Sequence, residues 1–413
     1  MKRIFSILLV IVLFTAITTA QWTEQTSGQT TQLSTVSAVD DNNAWICGFG
    51  GKVLRTTNGG TTWTLVSSPG AADLYNIFGV DANTALTTSS PAATFVYRTT
   101  NGGANWTQVF TQTGGFIDAI WMTSSTNGFM MGDPVSARWS LWKTTNGGAN
   151  WDSTGLFLPA NGAEAGWNNG MFASGNNIWF NTNAVRFYYS SNSGSNFVAQ
   201  TVPGFATFGT IWFNSATAGM GSYGNFLIGT TNSGTTWSPL TLTGTATING
   251  ITGSGTTWFA CRAATIIYKS TNAGTTWTTD YTAPAGNYTH MNKAINGNRL
   301  WAVRSNGGIS VSNQLIGITP ISGEVPNSFS LSQNYPNPFN PSTKIEFAIP
   351  NSSNVVLKVY NTLGKEVSVV YSGYLSSGRY TVDYDAANLS SGIYFYTLNA
   401  GNFVETKKMT LIK

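Results

Sequence analysis

A short turn sequence recurs six times along the chain and constrains the fold more than any other feature. Each copy, which we call a box, begins with Asn, has Gly two positions later and ends in an aromatic residue. The aromatic residues stand 40 to 46 residues apart, which is the length of one four-stranded propeller blade. The boxes are Asn58, Gly60 and Trp63; Asn101, Gly103 and Trp106; Asn146, Gly148 and Trp151; Asn192, Gly194 and Phe197; Asn232, Gly234 and Trp237; and Asn272, Gly274 and Trp277. The repeat predicts an all-β fold.

Turn chemistry accounts for each residue type in the box. An Asn side chain can accept hydrogen bonds from backbone amides two residues on and tolerates the left-handed conformation, while Gly supplies a positive φ. A strand precedes each box, as at residues 52–55, and another follows it. We therefore predict that the box is the hairpin turn between the two outer strands of a blade, with its aromatic residue packed back over the turn. This favours a structural role for the Asn residues over ion or sugar binding.

The two ends of the repeat region predict the number of blades. After the last box, residues 298–303 and 308–312 have the pattern of second and third strands, but no box follows them. Trp22 precedes Trp63 by 41 residues, one period, and begins a similar strand. We therefore predict a seven-bladed β-propeller over residues 21–313, closed by the N-terminal strand, which removes exposed sheet edges.

The boxes resemble the Asp-box repeats of BNR-repeat, sialidase-like propellers and of photosystem II assembly factor-like proteins, with Asn in place of Asp. The resemblance implies the propeller fold but no single function, because Asp-box propellers include hydrolases, receptors and scaffolds. Arg55 and Arg98 stand just before boxes at equivalent positions, which is typical of surface strand residues. No Arg-Ile-Pro motif precedes the first blade, so sialidase activity is disfavoured.

The first 20 residues have the pattern of a secretory signal peptide, with Lys2 and Arg3 ahead of an apolar stretch at residues 4–17. The apolar run is shorter than the ~20 residues that span a bilayer, and we predict a mature protein from Gln21 without a transmembrane span. Charged residues make up 9% of the chain and the net charge is only +4. Without a basic cluster, a nucleic-acid partner is not expected.

The remaining residues of common site chemistry predict neither a metal nor a cofactor. His290 is the only histidine, so neither a zinc site nor a Ser-His-Asp triad is supported. Cys47 and Cys261 fall on second strands of blades one and six, separated by blade seven. We therefore expect two buried thiols rather than a disulfide.

Four acidic residues are predicted to share the face of the propeller opposite the boxes. Asp133 lies in the loop between strands two and three of blade three, Glu164 lies in the loop leading into blade four, and Asp73 and Asp118 stand near the starts of inner strands. Glycosidases use two carboxylates roughly 5 to 9.5 Å apart. The candidate catalytic residues are Asp118, Asp133 and Glu164, and the candidate ligand-binding residues are Asp73, Trp121, Trp139 and Trp167. The alternative is that these acids cap turns and strand ends.

The C-terminal region departs from the repeat. Pro320, Gly323 and Pro326 predict a linker over residues 314–327, and alternating strands then predict a small antiparallel, Ig-like β-sandwich over residues 328–413. This module resembles the type A C-terminal sorting domain of the Bacteroidetes type IX secretion system. The resemblance is carried by residues 335–341, 359–361, 363–364, 391–394 and 407–409. It implies the type IX secretion machinery as a partner and an extracellular or outer-membrane location.

Together these patterns predict a secreted or cell-surface propeller cargo. We interpret it as a binding or adhesion module for an extracellular glycan or protein. A glycan-active hydrolase with its acidic site at the channel mouth stays open as the alternative.

Overall fold

The computed structural model describes residues 22–204, 207–295, 297–312, 318–322, 326–351, 353–375, 377–386 and 389–412. These residues form 35 strands, numbered β1 to β35 in chain order, and one short 3-10 turn at Phe49–Gly51. The prediction of an all-β chain is confirmed. The signal peptide predicted over residues 1–20 lies outside the described residues.

Residues 22–312 form seven antiparallel sheets, in which the strands are ordered from the inner strand outward. The first four are β2 (Leu33–Ala38), β3 (Ala44–Gly48), β4 (Lys52–Thr56) and β5 (Thr64–Leu65); β6 (Leu74–Gly79), β7 (Ala85–Ser89), β8 (Ala93–Thr99) and β9 (Thr107–Thr113); β10 (Ile117–Met122), β11 (Gly128–Val135) and β12 (Arg138–Thr144); and β13 (Met171–Ser174), β14 (Asn177–Asn181), β15 (Arg186–Ser190) and β16 (Val198–Thr201). The other three are β17 (Ile211–Phe213), β18 (Gly219–Tyr223), β19 (Phe226–Thr230) and β20 (Ser238–Leu240); β21 (Ile248–Ser254), β22 (Thr257–Arg262), β23 (Ile266–Ser270) and β24 (Thr278–Thr282); and β25 (Tyr288–Lys293), β26 (Leu300–Arg304), β27 (Ile309–Ser312) and β1 (Trp22–Gln25).

The seven inner strands enclose a central channel. Each inner strand contacts the next, from β2 through β6, β10, β13, β17 and β21 to β25, and β25 in turn contacts β2. The side chains on these strands are mostly buried. Successive side chains point to opposite faces of a sheet, and each face packs against a neighbouring sheet.

The seventh sheet takes its outer strand from the N-terminus. Trp22 of β1 pairs with Ser312 of β27, at the other end of the repeat region. The Trp22 ring is buried, stacks on Tyr281 at a centroid distance of 5.8 Å and donates its N–H to Asp280 Oδ2 at 2.6 Å. Glu24 accepts hydrogen bonds from the hydroxyls of Tyr281 and Ser310. It also forms an ion pair with Arg304, whose side chain is almost fully buried.

The third sheet lacks a regular outer strand. After its box the backbone pairs with β12 at two isolated bridges, Lys143 with Asp152 and Arg138 with Pro159, and forms no continuous strand. Gly155 adopts a φ of +77° between them, and Pro159 has no amide to donate to a ladder. The segment therefore curves away and begins the long connection to β13.

The box turns are local structures closed by side chains. In the first box, Asn58 Oδ1 accepts a hydrogen bond from the amide of Thr62, four residues on, at 3.0 Å. The other five boxes repeat this bond. The expected reach of two residues is therefore wrong, because Gly60 at a φ of +80° carries the chain around a longer turn. The hydroxyl of Thr56, two residues before the box, accepts from the Gly60 amide at 2.8 Å, a contact that the sequence pattern did not predict.

Three of the box tryptophans bind the preceding sheet rather than their own turn. Trp63 Nε1 donates to Gln25 Oε1 at 2.8 Å. Trp106 Nε1 donates to the Ser67 carbonyl at 2.9 Å, and Trp237 Nε1 donates to Gln200 Oε1 at 3.2 Å. Trp277 alone of these four follows the prediction and donates to Gly274 in its own box at 3.0 Å. The box thus ties neighbouring blades together as well as closing a hairpin.

The C-terminal strands form two four-stranded sheets packed around a core that includes Phe347 and Tyr396. The first contains β28 (Ile318–Ser322), β33 (Gly378–Asp385), β30 (Ser342–Ile349) and β29 (Ser330–Leu331), and the second contains β32 (Glu366–Leu375), β31 (Ser353–Asn361), β34 (Gly392–Ala400) and β35 (Phe403–Leu411). The structure differs from the prediction in one respect within the segment predicted as a linker. Its strand β28 pairs with β33, so this stretch is part of the sandwich.

Candidate functional site

The central channel is narrow and lined by residues of all seven inner strands. It contains a cavity of about 40 Å³, enough for a few water molecules only. His290 lies in this wall, and its Nδ1 accepts a hydrogen bond from the Val36 amide at 3.3 Å. Burial lowers the pKa of His290 to about 4, so the imidazole is neutral at ordinary pH and serves as a packing and hydrogen-bonding group.

The channel has two chemically different ends. All seven inner strands run the same way, so they begin together at one end and finish together at the other. Because strands alternate in direction within each sheet, the boxes lie where the inner strands finish. We call this the box end, and we call the opposite end, where Asp118 and Asp133 lie, the acid end.

Two carboxyl groups meet at the acid end around Gly166. Asp133 Oδ1 accepts a hydrogen bond from the Gly166 amide at 2.7 Å, and a Cβ atom at Gly166 would collide with Asp118 Oδ2. Asp118 is almost fully buried, and Oδ2 has no hydrogen-bond partner within the described residues. Burial raises the pKa of Asp118 well above its usual value, and the nearby Asp133 charge raises it further. Burial also raises the pKa of Asp133.

Glu164 is committed to a separate cluster. Its Oε1 forms an ion pair with Arg186 Nε at 3.0 Å, and its Oε2 accepts the Tyr188 hydroxyl at 2.9 Å. The amide of Asn161 adds a weaker bond at 3.3 Å. Glu164 is almost fully buried, which makes it an anchor for the loop before β13. Arg186 and Tyr188 were not singled out from the sequence, although both stand on a strand that follows the loop containing Glu164.

The loop from Glu164 to Gly170 crosses the acid end of the channel, and we call residues 164–170 the plug. The Asn169 amide donates to the Asp118 carbonyl at 2.9 Å, and Asn169 Nδ2 donates to Thr35 Oγ1 of the first sheet at 2.8 Å. Asn168 Oδ1 accepts from Asn76 Nδ2 of the second sheet at 3.1 Å. A loop of the fourth sheet is thereby fixed to three other sheets.

The other predicted site residues divide between the two ends and the core. Asp73 Oδ1 accepts the Gly50 amide at 2.8 Å, so this acid caps a turn. Trp167, in the plug, is 38% exposed and stacks on Phe208 at 4.3 Å. Trp139 is fully buried against Phe180 and Tyr188. The expectation that it stacks on a ligand is wrong, because its face of the strand points into the sheet interface.

Trp121 lies at the box end, where it forms an aromatic cluster with two residues that the sequence pattern did not single out. Its ring centroid is 4.8 Å from that of Phe172 and 5.8 Å from that of Trp212, and the latter two are 5.1 Å apart. These rings come from consecutive inner strands, β10, β13 and β17. An alignment of the inner strands with one another would have grouped these three residues, whereas an alignment of the turn boxes alone does not.

The box end opens into a cavity of about 250 Å³. We call this cavity the mouth; its lining includes Trp121, Phe172, Trp212, Lys293 and Ile295. The ring system forms one side. Lys293, at the end of β25, and Ile295, which is 42% exposed, form the other. The mouth thus combines apolar surface with one cationic side chain.

Lys293 is held in place by backbone carbonyls. Its Nζ donates to the Ala294 carbonyl at 2.9 Å and to the Gly297 carbonyl at 2.5 Å. Burial lowers the pKa of Lys293 to about 8, and the Asp41 carboxylate opposes this shift. The half-buried side chain is therefore mainly an ammonium at pH 7.

Among the described residues, no cluster of three or more His, Cys, Asp or Glu side chains is placed to hold a metal ion. Cys47 and Cys261 are buried free thiols, which confirms the prediction for both. No helix in the described part of the chain is long and apolar enough to cross a membrane.

Comparison with solved structures identifies propeller-like neighbours. YCF48 bound to D1 peptide shares 14% identity at a TM-score of 0.58, and the match covers 72% of this chain and 99% of that chain. YCF48 from Cyanidioschyzon merolae shares 18% at a TM-score of 0.56, with 71% and 99% covered. The extracellular domain of the putative one component system BT4673 from B. thetaiotaomicron shares 8% at a TM-score of 0.51, with 95% and 59% covered. At these identities the likeness concerns the fold alone.

Comparison of sequences gives a further match at the C-terminus. Residues 333–413 match the family described as secretion system C-terminal sorting domain. No curated protein matches the chain. The chain therefore carries a propeller fold followed by a C-terminal sorting domain of a secretion system, which indicates export to the cell surface or outer membrane.

Proposed function

We propose that the propeller is a secreted binding module and that its ligand occupies the mouth. The observation that carries this proposal is the contrast between the two ends of the channel. The mouth is a cavity of about 250 Å³ with aromatic walls, and cavities of this character are the usual binding sites of proteins. The acid end is covered by the plug.

Three of the four candidate acidic residues support the same conclusion because they stabilise loops and turns. Asp73, Asp133 and Glu164 all accept hydrogen bonds from backbone amides, and Glu164 is also paired with Arg186. Carboxylates engaged in this way stabilise loops, as N–H donors lower the energy of the charged form. Glu164 is also almost fully buried, which leaves little of its carboxylate for a substrate to reach.

The proposal is tested by binding to an array of extracellular glycans with the full chain purified after export. Bound glycans are then titrated while tryptophan fluorescence is followed. Trp121→Ala, at the mouth, is expected to weaken binding by up to about 10-fold, since an aromatic contact contributes roughly 0.5–1.5 kcal/mol beyond its buried area. Trp167→Ala, an exposed tryptophan at the acid end, is the matched control and is expected to bind normally. Loss of binding in Trp167→Ala alone would place the ligand at the acid end and contradict the proposal.

A second candidate function is glycan hydrolysis at the acid end. It is favoured by one observation, the raised pKa values of the neighbouring Asp118 and Asp133. A carboxyl group that holds its proton more tightly than usual suits the role of a general acid. Turnover of any glycan by the wild-type chain, lost in both Asp118→Asn and Asp133→Asn, would establish the hydrolase. Binding without turnover would retain the binding module.

We further propose that residues 21–313 form a seven-bladed propeller closed by β1. The pairing of β1 with β27 and the contact of β25 with β2 support this arrangement. The ion pair between Glu24 and Arg304 adds a polar clasp to the same junction. A chain that lacks residues 22–25 is expected to unfold at a clearly lower temperature in its propeller part, and unchanged unfolding would contradict closure by this strand.

We also propose that the sorting domain extends over residues 328–413 and addresses the chain to the type IX secretion machinery. The family match over residues 333–413 supports this assignment. Deleting residues 328–413 should retain the propeller in the periplasm, as judged by cell fractionation. Normal surface delivery of the truncated chain would contradict the proposed address.

A further inference from the structure

We propose that the mouth binds a carbohydrate that carries a carboxylate, with a sugar ring against Trp121 and Trp212 and the carboxylate at the Lys293 ammonium. This inference rests on the proposed function and adds the chemical class of the ligand. The acidic sugar concerned is a hexuronic acid or an oligomer of such residues.

The aromatic side of the mouth is a rigid surface. Trp212 Nε1 donates to Asn214 Oδ1 at 3.0 Å, which fixes the orientation of the indole. Phe172 lies between the two indoles and contacts both. Aromatic side chains lose little conformational entropy on binding because they have only two side-chain torsions. The C–H face of a pyranose ring is an apolar surface that fits against such rings.

Lys293 contributes a cationic side chain to the lining of the mouth. An ammonium group has three donors, and the Ala294 and Gly297 carbonyls accept from Lys293 within the described residues. Of the charged groups around it, Asp41 affects Lys293 electrostatically, but Asp41 Oδ1 itself accepts from the amides of Asn298 and Arg299. A third hydrogen bond of Lys293 to a ligand carboxylate would be charge-assisted and poorly screened by water.

The rest of the lining favours a sugar over a peptide. Besides Lys293 and the two indoles, its polar side chains are the hydroxyls of Thr123 and Ser174. Hydroxyls both donate to and accept from sugar hydroxyls. A peptide would bring backbone amides and carbonyls that need several fixed partners. The cavity of about 250 Å³ also lies below the usual size of ~300–1,000 Å³ for sites that enclose whole drug-sized ligands. It suits a single inserted ring.

The test compares oligogalacturonate with its fully methyl-esterified form, which has the same rings without the charge. The full chain purified after export is titrated with each at pH 7 by calorimetry. Oligogalacturonate is expected to bind roughly 10- to 100-fold more tightly, the range that a hydrogen bond to a charged group gives. The preference should decline as pH rises through about 8, where Lys293 loses its proton.

Variants separate the charge from the fold. Lys293→Gln should bind both oligomers equally, and Lys293→Arg should retain a preference for the acid. Lys143→Gln, a lysine of the third sheet whose Nζ donates to the Thr154 carbonyl, is the matched control and should behave as wild type. Near-UV circular dichroism of each variant establishes that it is folded.

Several results would overturn the inference. Equal binding of the two oligomers by the wild-type chain, dependent on Trp121, would exclude the acidic sugar while leaving the binding module intact. Binding of a peptide carboxyl terminus in a Lys293-dependent way, without binding of either oligomer, would replace the sugar by a peptide. Failure of glycans and peptides alike to bind would reject both the inference and the proposed function.

Discussion

Trp22→Ala removes the residue that fills the junction between the sixth sheet and β1. Trp22 is only 3% exposed, stacks on Tyr281 and packs edge-on to Phe259 at 6.3 Å. Truncating a buried tryptophan costs about 3–5 kcal/mol through lost transfer energy and the cavity left behind. The hydrogen bond from its indole to Asp280 is lost as well. We expect a destabilisation within this range, confined to the propeller.

The size of the thermal effect follows from the length of the propeller. An unfolding entropy of about 2.1 cal/mol/K per residue over roughly 290 residues gives about 0.6 kcal/mol/K. A loss of 3–5 kcal/mol then lowers the melting temperature by about 5–8 °C. Differential scanning calorimetry of the full chain measures this shift in the propeller transition. The transition of the C-terminal sandwich serves as an internal reference and should stay where it is.

Two companion variants sharpen the measurement. Trp22→Phe keeps most of the ring packing and should be destabilised about a third as much as Trp22→Ala. This remaining loss arises because the indole hydrogen bond is gone and the smaller ring leaves part of the volume empty. Leu65→Ala truncates a half-exposed residue on another outer strand and should change stability by less than about 0.5 kcal/mol. A Trp22→Ala shift no larger than that of Leu65→Ala would refute the reasoning.

Three further outcomes are expected. The folded chain holds the Asp118 proton more tightly than the unfolded chain does, so stability falls as pH rises above the usual pKa of 3.8. Asp118→Asn should therefore stabilise the chain at pH 7 but not at pH 3, as measured by urea unfolding. An equal change in the free energy of unfolding at both pH values would contradict this. Asn146→Ala loses the bond to the Asn150 amide and should lower the free energy of unfolding by about 1 kcal/mol. Asn146→Asp should lower it much less. Equal destabilisation of the two variants in thermal unfolding would contradict the turn role. Burial raises the pKa of the Cys47 and Cys261 thiols, so a thiol reagent should label them only in denaturant, and rapid labelling of the native chain would contradict their burial.

The features that followed from the sequence are those set by local chemistry. The box is closed by contacts within six or seven residues, such as Thr56 with Gly60 and Asn58 with Thr62, so its recurrence marks hairpins directly. The missing outer strand of the third sheet was not foreseen, because the Trp151 box resembles the others. The difference arises only afterwards, where Gly155 and Pro159 interrupt the ladder.

The arrangement of the candidate site depends on contacts between distant residues, which spacing cannot supply. Chain reversal along the sequence predicted that Asp118 and Asp133 share one face, and in the structure the two side chains lie on either side of Gly166. The position of the plug was not predicted, because it depends on contacts such as that of Asn169 with Thr35, 134 residues away. The burial of Trp139 was also missed, because alternation along a strand tells which residues share a face but not which face meets a neighbouring sheet.

The pairing of Trp22 with Ser312 has a consequence for the order of folding. Contacts between residues so far apart in sequence are slow to form, because the chain between them must first be ordered or closed into a loop. Until β27 has been synthesised, β1 has no strand to pair with, and Trp22 is not held over Phe259 and Tyr281. The pairing of β1 with β27 therefore forms late, after β27 has been synthesised, and until then the apolar surface around Phe259 is open to chaperones or to another chain.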